Sequence, residues 1–119
     1  MSANLSSCKV LRVALPNATQ QTIAVSDFAP QGCTVRDITL EVTTAVGGST
    51  VTIAGGGNSL VDGSVATTPA GGFQLPLTAT SAHLSLASSA SIVINPSGAT
   101  VIAVNIFFGD FAPTTITVS

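Results

Sequence analysis

Along residues 36–57 apolar and polar side chains alternate in step. Ile38, Leu40 and Val42 interleave with Asp37, Thr39, Glu41 and Thr43, and a period of two gives a strand with one apolar face and one wet face. Ala45-Val46-Gly47-Gly48-Ser49 follows. Its glycines take positive φ at no steric cost, after which Val51 and Ile53 alternate with Thr50, Thr52 and Ala54. The pattern predicts a β-hairpin over this stretch.

The remaining chain carries the same period. Lys9, Leu11, Val13 and Leu15 share one face of a first strand, with Cys8, Val10, Arg12 and Ala14 on the other, and Pro16-Asn17 ends it. Gln20–Ser26 reads as a second strand with Ile23 and Val25 inward. Asp27-Phe28-Ala29-Pro30 closes it, and the same tetrapeptide returns as Asp110-Phe111-Ala112-Pro113. Residues before proline prefer extended geometry and Asp bonds its own backbone nearby, so the repeat reads as two corners capped by Phe28 and Phe111. The sharper reading makes those two phenylalanines partner-docking corners.

Gly55–Asn58, Asp62-Gly63 and Thr67–Gly72 read as loops. Phe73, Leu75 and Leu77 alternate with Gln74, Pro76 and Thr78, and Pro76 places that strand at a sheet edge. A short strand with Leu84 and Leu86 inward and His83 outward leads to Ile92–Ile94, and Asn95-Pro96-Ser97-Gly98 reads as a turn. Thr100–Phe108 is apolar on both faces, with Ile102, Val104, Ile106 and Phe108 on one and Val101, Ala103 and Phe107 on the other. A strand covered on both sides in a two-layer fold needs a cover beyond the domain core. Val101, Ala103 and Phe107 are therefore a candidate subunit interface. Thr114–Val118 reads as a final strand.

Nine or ten short strands with no helical periodicity predict an all-β chain, a single-domain β-sandwich of jelly-roll type. Residues 1–7 are small and polar and read as an arm, with the sandwich over 8–119.

The run Leu40-Glu-Val-Thr-Thr-Ala-Val-Gly-Gly-Ser-Thr-Val-Thr-Ile53 resembles the hairpin of small β-sandwich virion proteins of tailed bacteriophages, the capsid decoration proteins and head fibres. The likeness extends more loosely through Leu60–Gly63, Thr68–Leu77 and Ile92–Ala99, and so covers residues 36–108. Ala54 stands where that family has a glycine after the second strand. The resemblance implies a capsid exterior location, the major capsid protein as partner, and self-association as a homotrimer.

Charge sharpens this picture. The 119 residues hold three Lys and Arg and five acids, 7% charged residues and a net charge of −2, where about 25% charged is usual. Mean hydropathy is +0.61. So little charge leaves a surface poorly solvated, and predicts that copies of the chain or another protein cover much of it. Three scattered cations exclude a nucleic-acid interface, which needs a Lys or Arg for each neutralised phosphate. The longest apolar runs are far short of the ~20 residues of a membrane-spanning helix, so no membrane partner is expected. Met1–Cys8 lacks the pattern of a secretory signal, which predicts synthesis in a host cytoplasm and reduced Cys8 and Cys33.

Candidate chemistry is thin. His83 is the single histidine, and no serine is marked as a nucleophile beside it. One His and two distant Cys do not make a zinc site. Asn58 and Asp62-Gly63 lack the acid density of a calcium loop. Asp37 and Glu41 share a strand face about 13 Å apart at the usual rise, too far for paired glycosidase carboxylates. Trp and Tyr are absent, which removes the usual sugar-stacking platform. The sequence therefore predicts no enzyme, no cofactor and no metal. Its expected role is a cement protein between capsid subunits, with a head-fibre, tail or spike module, or a carbohydrate- or receptor-binding module on such a fibre, as the alternative.

Overall fold

The computed structural model describes residues 8–17, 19–61, 63–67, 69–98 and 100–110. Its ten strands are β1 (Cys8–Leu15), β2 (Gln21–Ala24), β3 (Cys33–Thr44), β4 (Thr50–Gly55), β5 (Asn58–Ser59), β6 (Val65–Ala66), β7 (Gly71–Leu75), β8 (Ser85–Leu86), β9 (Ser91–Ser97) and β10 (Val101–Asp110). They form two antiparallel sheets. One runs β1-β10-β3-β7 with β8 also on β3, and the other runs β2-β9-β4-β5 with β6 also on β4. The predicted Thr114–Val118 strand, the arm at residues 1–7 and the Phe111 corner lie outside the described residues.

The pairings nest. β1 pairs with β10, β2 with β9, β3 with β7 and β8, and β4 with β5 and β6. One long hairpin has been rolled up, and the contacts β10 to β3 and β9 to β4 close the roll. That is a jelly roll.

The alternation that makes each strand also aims it. In the first sheet Leu15, Ile38, Leu40, Val42, Ile102, Val104, Ile106 and Phe108 face inward and are buried, with Ile38 opposite Ile106 and Leu40 opposite Val104. The second sheet answers with Val51, Ile53, Ile92 and Ile94. Burying each such side chain contributes roughly 1.5–3 kcal/mol, so these rows hold the two layers together. The ring of Phe28 meets that of Phe108 edge-on at 4.9 Å and 65°, closing one end of the core.

Four local expectations are corrected. The stretches around Ile38–Val42 and Val51–Ile53 are strands with the expected inward faces, but they are not a hairpin. β3 and β4 lie in opposite sheets, and Ala45–Ser49 carries the chain across the sandwich. The hairpin is instead β4 to β5, where Gly56 and Gly57, at φ +60 and +84, make the two-residue turn. Asn95–Ser97 is strand rather than turn. β2 stops pairing at Ile94, so Pro96 lies on a stretch of β9 with only β4 beside it, where a missing N–H is tolerated. Gln21–Ala24 ends sooner than expected, in a 3-10 turn at Val25–Asp27. His83 lies in a second 3-10 turn, Ser81–Leu84, and is half-buried rather than outward on a strand.

Cys8 lies opposite Gly109 on one side of β10 and Cys33 opposite Asp110 on the other. Two strand spacings, roughly 9–10 Å, exceed the ~7 Å that a disulfide tolerates, so the two cysteines do not bridge each other.

Near the start of β4 the hydroxyls of Ser49 and Thr67 are buried and find no hydrogen-bond partner among the described residues. Thr100, equally buried, donates to the Thr44 carbonyl at 2.8 Å. Replacing Thr67 by valine keeps the shape and removes a desolvated hydroxyl. Thr67→Val is expected to raise stability by about 1 kcal/mol, read as an increase in Tm.

Candidate functional site

The two outward faces of the sandwich differ in chemistry. On the first sheet, Arg12 of β1, Asn105 of β10 and Thr39 of β3 form one cross-strand row, with Gln74 of β7 next in line. The Arg12 guanidinium reaches over β10 to Glu41, with Nε donating to Oε2 at 3.2 Å. Asn105 Nδ2 donates to the same oxygen at 2.6 Å and to Thr39 Oγ1 at 3.3 Å. The Asn105 amide, and after it the Arg12 guanidinium, hold the Glu41 carboxyl below its usual value of 4.5.

A carboxylate favoured in this way stabilises the fold above the unfolded pKa, and that contribution is lost as pH falls through the lower folded value. Wild-type Tm is therefore expected to drop more steeply below about pH 4.5 than that of Glu41→Gln. A thermal melt series in acid checks this.

A register shift in the β3–β10 pairing leaves Arg36 as an extra residue on β3. Such a bulge re-aims side chains. The Arg36 side chain lies against Gly109, where an added Cβ would come within 2.8 Å of its Nε. The neighbouring Asp37 accepts from Gln74 Nε2 at 3.1 and 3.2 Å and from the Ile38 amide at 2.9 Å. Arg36, Asp37, Gln74 and Leu75–Leu77 line a shallow cleft of about 370 Å³.

The outward face of the second sheet is made from Thr22, Ala24, Thr50, Thr52, Ala54, Ser91, Val93, Asn95 and Ser97. Among the described residues no charged one stands on it. Thr22 and Asn95 are exposed, and the Thr52 hydroxyl donates to the Asn95 carbonyl at 3.5 Å. Every charged residue of the described strands stands on the first sheet instead: Lys9, Arg12, Arg36, Asp37, Glu41 and Asp110.

The residues singled out in the sequence are distributed as follows. Val101, Ala103 and Phe107 do lie on the outward side of β10. Ala103 is only 4% exposed, and Val101 and Phe107 are half-buried. Their neighbours in register on β3 include Glu41 and Asp37, so a polar strand borders that face on one side, while on β1 Phe107 and Ala103 lie opposite Val10 and Ala14. Phe28 packs on the core through Phe108. The charge-free second face went unnoticed in the sequence. Its signal was present in the Thr and Ser positions, but their assembly on one side required the strand order.

His83 borders a second cleft of about 230 Å³ with Asn58, Ser85 and the Gly55-Gly56 backbone. No carboxylate lines it. Among the described residues no group of three His, Cys, Asp or Glu is placed to hold a metal ion, and Asp62 lies outside them. No helix among them is long and apolar enough to cross a membrane. Compared with known proteins, the chain matches no family model, and no curated protein or solved structure is significantly similar to it.

Proposed function

We propose that the chain is a structural protein of a tailed-phage virion, a decoration (cement) protein on the capsid exterior that bridges neighbouring subunits of the major capsid protein. The observation that carries this reading is the charge-free outward face of the second sheet, on a chain with 7% charged residues. A rigid, uncharged face can be desolvated against a partner without stranding an ion. The jelly roll is an architecture that viral capsid proteins use.

The mechanism is mechanical. A ligand that binds only the assembled shell stabilises it in proportion to its binding, and contacts to two subunits at once oppose their separation. Stable interfaces bury about 800 Å² per partner, the scale a bridging contact of this kind has to reach.

The test is binding to shells emptied of their own decoration protein, read as occupancy by cryo-electron microscopy. Density between capsomers is expected, and exposed-face variants Thr22→Lys and Asn95→Lys should fold normally but lose most of that occupancy. Wild-type occupancy in both variants, or density at a fibre or tail tip, overturns the proposal.

A further inference from the structure

Gly55, Gly56 and Asn58 belong to β4, β5 and the turn between them in the second sheet, and Ser85 and Leu86 form β8 in the first. Between them lies the cleft of about 230 Å³ that His83 borders, walled further by Ala82, Ala87 and Ala90. Backbone bonds fix these walls. The Gly56 amide donates to the Ser91 carbonyl, the Ala90 amide to Ala87 and the His83 amide to Thr80, each at 3.0 Å. Glycine is required at the base, because a Cβ on Gly55 would stand 2.9 Å from Leu86 Cδ2.

The lining is chemically uniform. His83, Asn58 and Ser85 bring an imidazole, an amide and a hydroxyl, each of which offers both a hydrogen-bond donor and an acceptor. None of the three side chains is hydrogen-bonded to another described residue, and no charged residue lines the cleft. An anion would find no cation there, and a cation no carboxylate. What fits is an uncharged ligand that donates and accepts at neighbouring atoms, which is the chemistry of vicinal hydroxyl groups. The alanine methyls suit the carbon face of such a ligand. The larger cleft at Arg36 lacks these properties, since Asp37 and Gln74 bond each other and the Arg36 guanidinium lies on Gly109.

Size narrows the ligand further. Small-molecule pockets usually run about 300–1,000 Å³, so a cleft of about 230 Å³ takes one ring rather than a chain. With no Trp or Tyr, the protein has no open platform on which a longer glycan would stack. We propose that this cleft binds a single uncharged hexose ring, with His83, Asn58 and Ser85 on its hydroxyl groups and Ala82, Ala87 and Ala90 against its carbon face. The site stands apart from the charge-free face and does not depend on the capsid reading.

Titration of the isotope-labelled protein with D-glucose, D-galactose and D-mannose, followed through amide shifts in NMR spectra, tests this. One of the three is expected to give saturable shifts at residues 55–58 and 82–90, at least about tenfold tighter than the other two, because a misplaced hydroxyl leaves a polar group of the cleft unpaired. Asn58→Ala removes one polar partner and Ala87→Leu fills the space, both at exposed positions. Each should weaken binding at least tenfold and leave the melt unchanged, whereas Thr22→Lys on the charge-free face should bind like wild type. The methyl glycoside of the preferred hexose separates two sources: retained affinity marks the end of a glycan, and lost affinity a free sugar. No saturable shift with any of the three, equal affinities for all three and glycerol, the same shifts from sodium acetate, or unaltered binding in both Asn58→Ala and Ala87→Leu overturns the proposal.

Discussion

Val51→Asp is expected to abolish cooperative folding. Val51 is fully buried near the start of β4, paired with Pro96 of β9 on one side and Val65 of β6 on the other. A carboxylate there has no cation in reach, because every charged residue of the described strands belongs to the other sheet. Burying an unpaired charge is among the few single changes that exceed about 4 kcal/mol. That is a large share of the roughly 5–15 kcal/mol by which a domain is stable. Circular dichroism and a thermal melt read the result, and a melt like that of the wild type would show that residue 51 does not face the core.

Gly98→Ala is the second large effect, and it acts through the backbone. Gly98 follows β9 at φ +99, a conformation that side chains rarely adopt. The space is closed as well. A Cβ there would lie 2.9 Å from the Ser49 Cβ and 3.2 Å from its Cα, and it would also meet the Ser49 hydroxyl. Ser49 cannot retreat, because it is buried and its carbonyl accepts from the Thr67 amide at 3.1 Å. Strain and overpacking of this type together cost about 3 kcal/mol. Chemical denaturation should show that loss, whereas Gly47→Ala, which meets nothing within 4 Å, should change stability far less.

What could be read from the sequence follows from the range of the forces involved. Strand identity and facing are local. The alternation of Ile38, Leu40 and Val42, and of Leu11, Val13 and Leu15, marks which side meets the core, and these residues do point inward. Pro76 correctly marked an edge, since a proline has no N–H to give a ladder. Partnership is not local. The faces of β3 and β4 meet across the core, and the same alternation would serve a hairpin equally well. Pro96 misled for a related reason, because whether a strand tolerates proline depends on how far its neighbour β2 extends.

The candidate surfaces show the same division. Val101, Ala103 and Phe107 stood out as apolar, but the polar residues bordering them come from β3, more than 55 positions earlier in the chain. Arg12 gave no sign in the sequence that it would be committed to Glu41, 29 residues away. The charge-free face needed three separated strands to be laid side by side before it existed.

The position of β10 between β1 and β3 has a consequence for the birth of the molecule. A ribosome delivers β10 after every other described strand, so until then β1 and β3 have no common neighbour and their apolar rows stay open to water. Closure must wait until Val101–Asp110 has been made, and pairing of such sequence-distant segments is slow, in the millisecond to second range. A nascent chain stalled before residue 101 would thus present sticky, half-built sheets, and chaperones or neighbouring chains would compete for them.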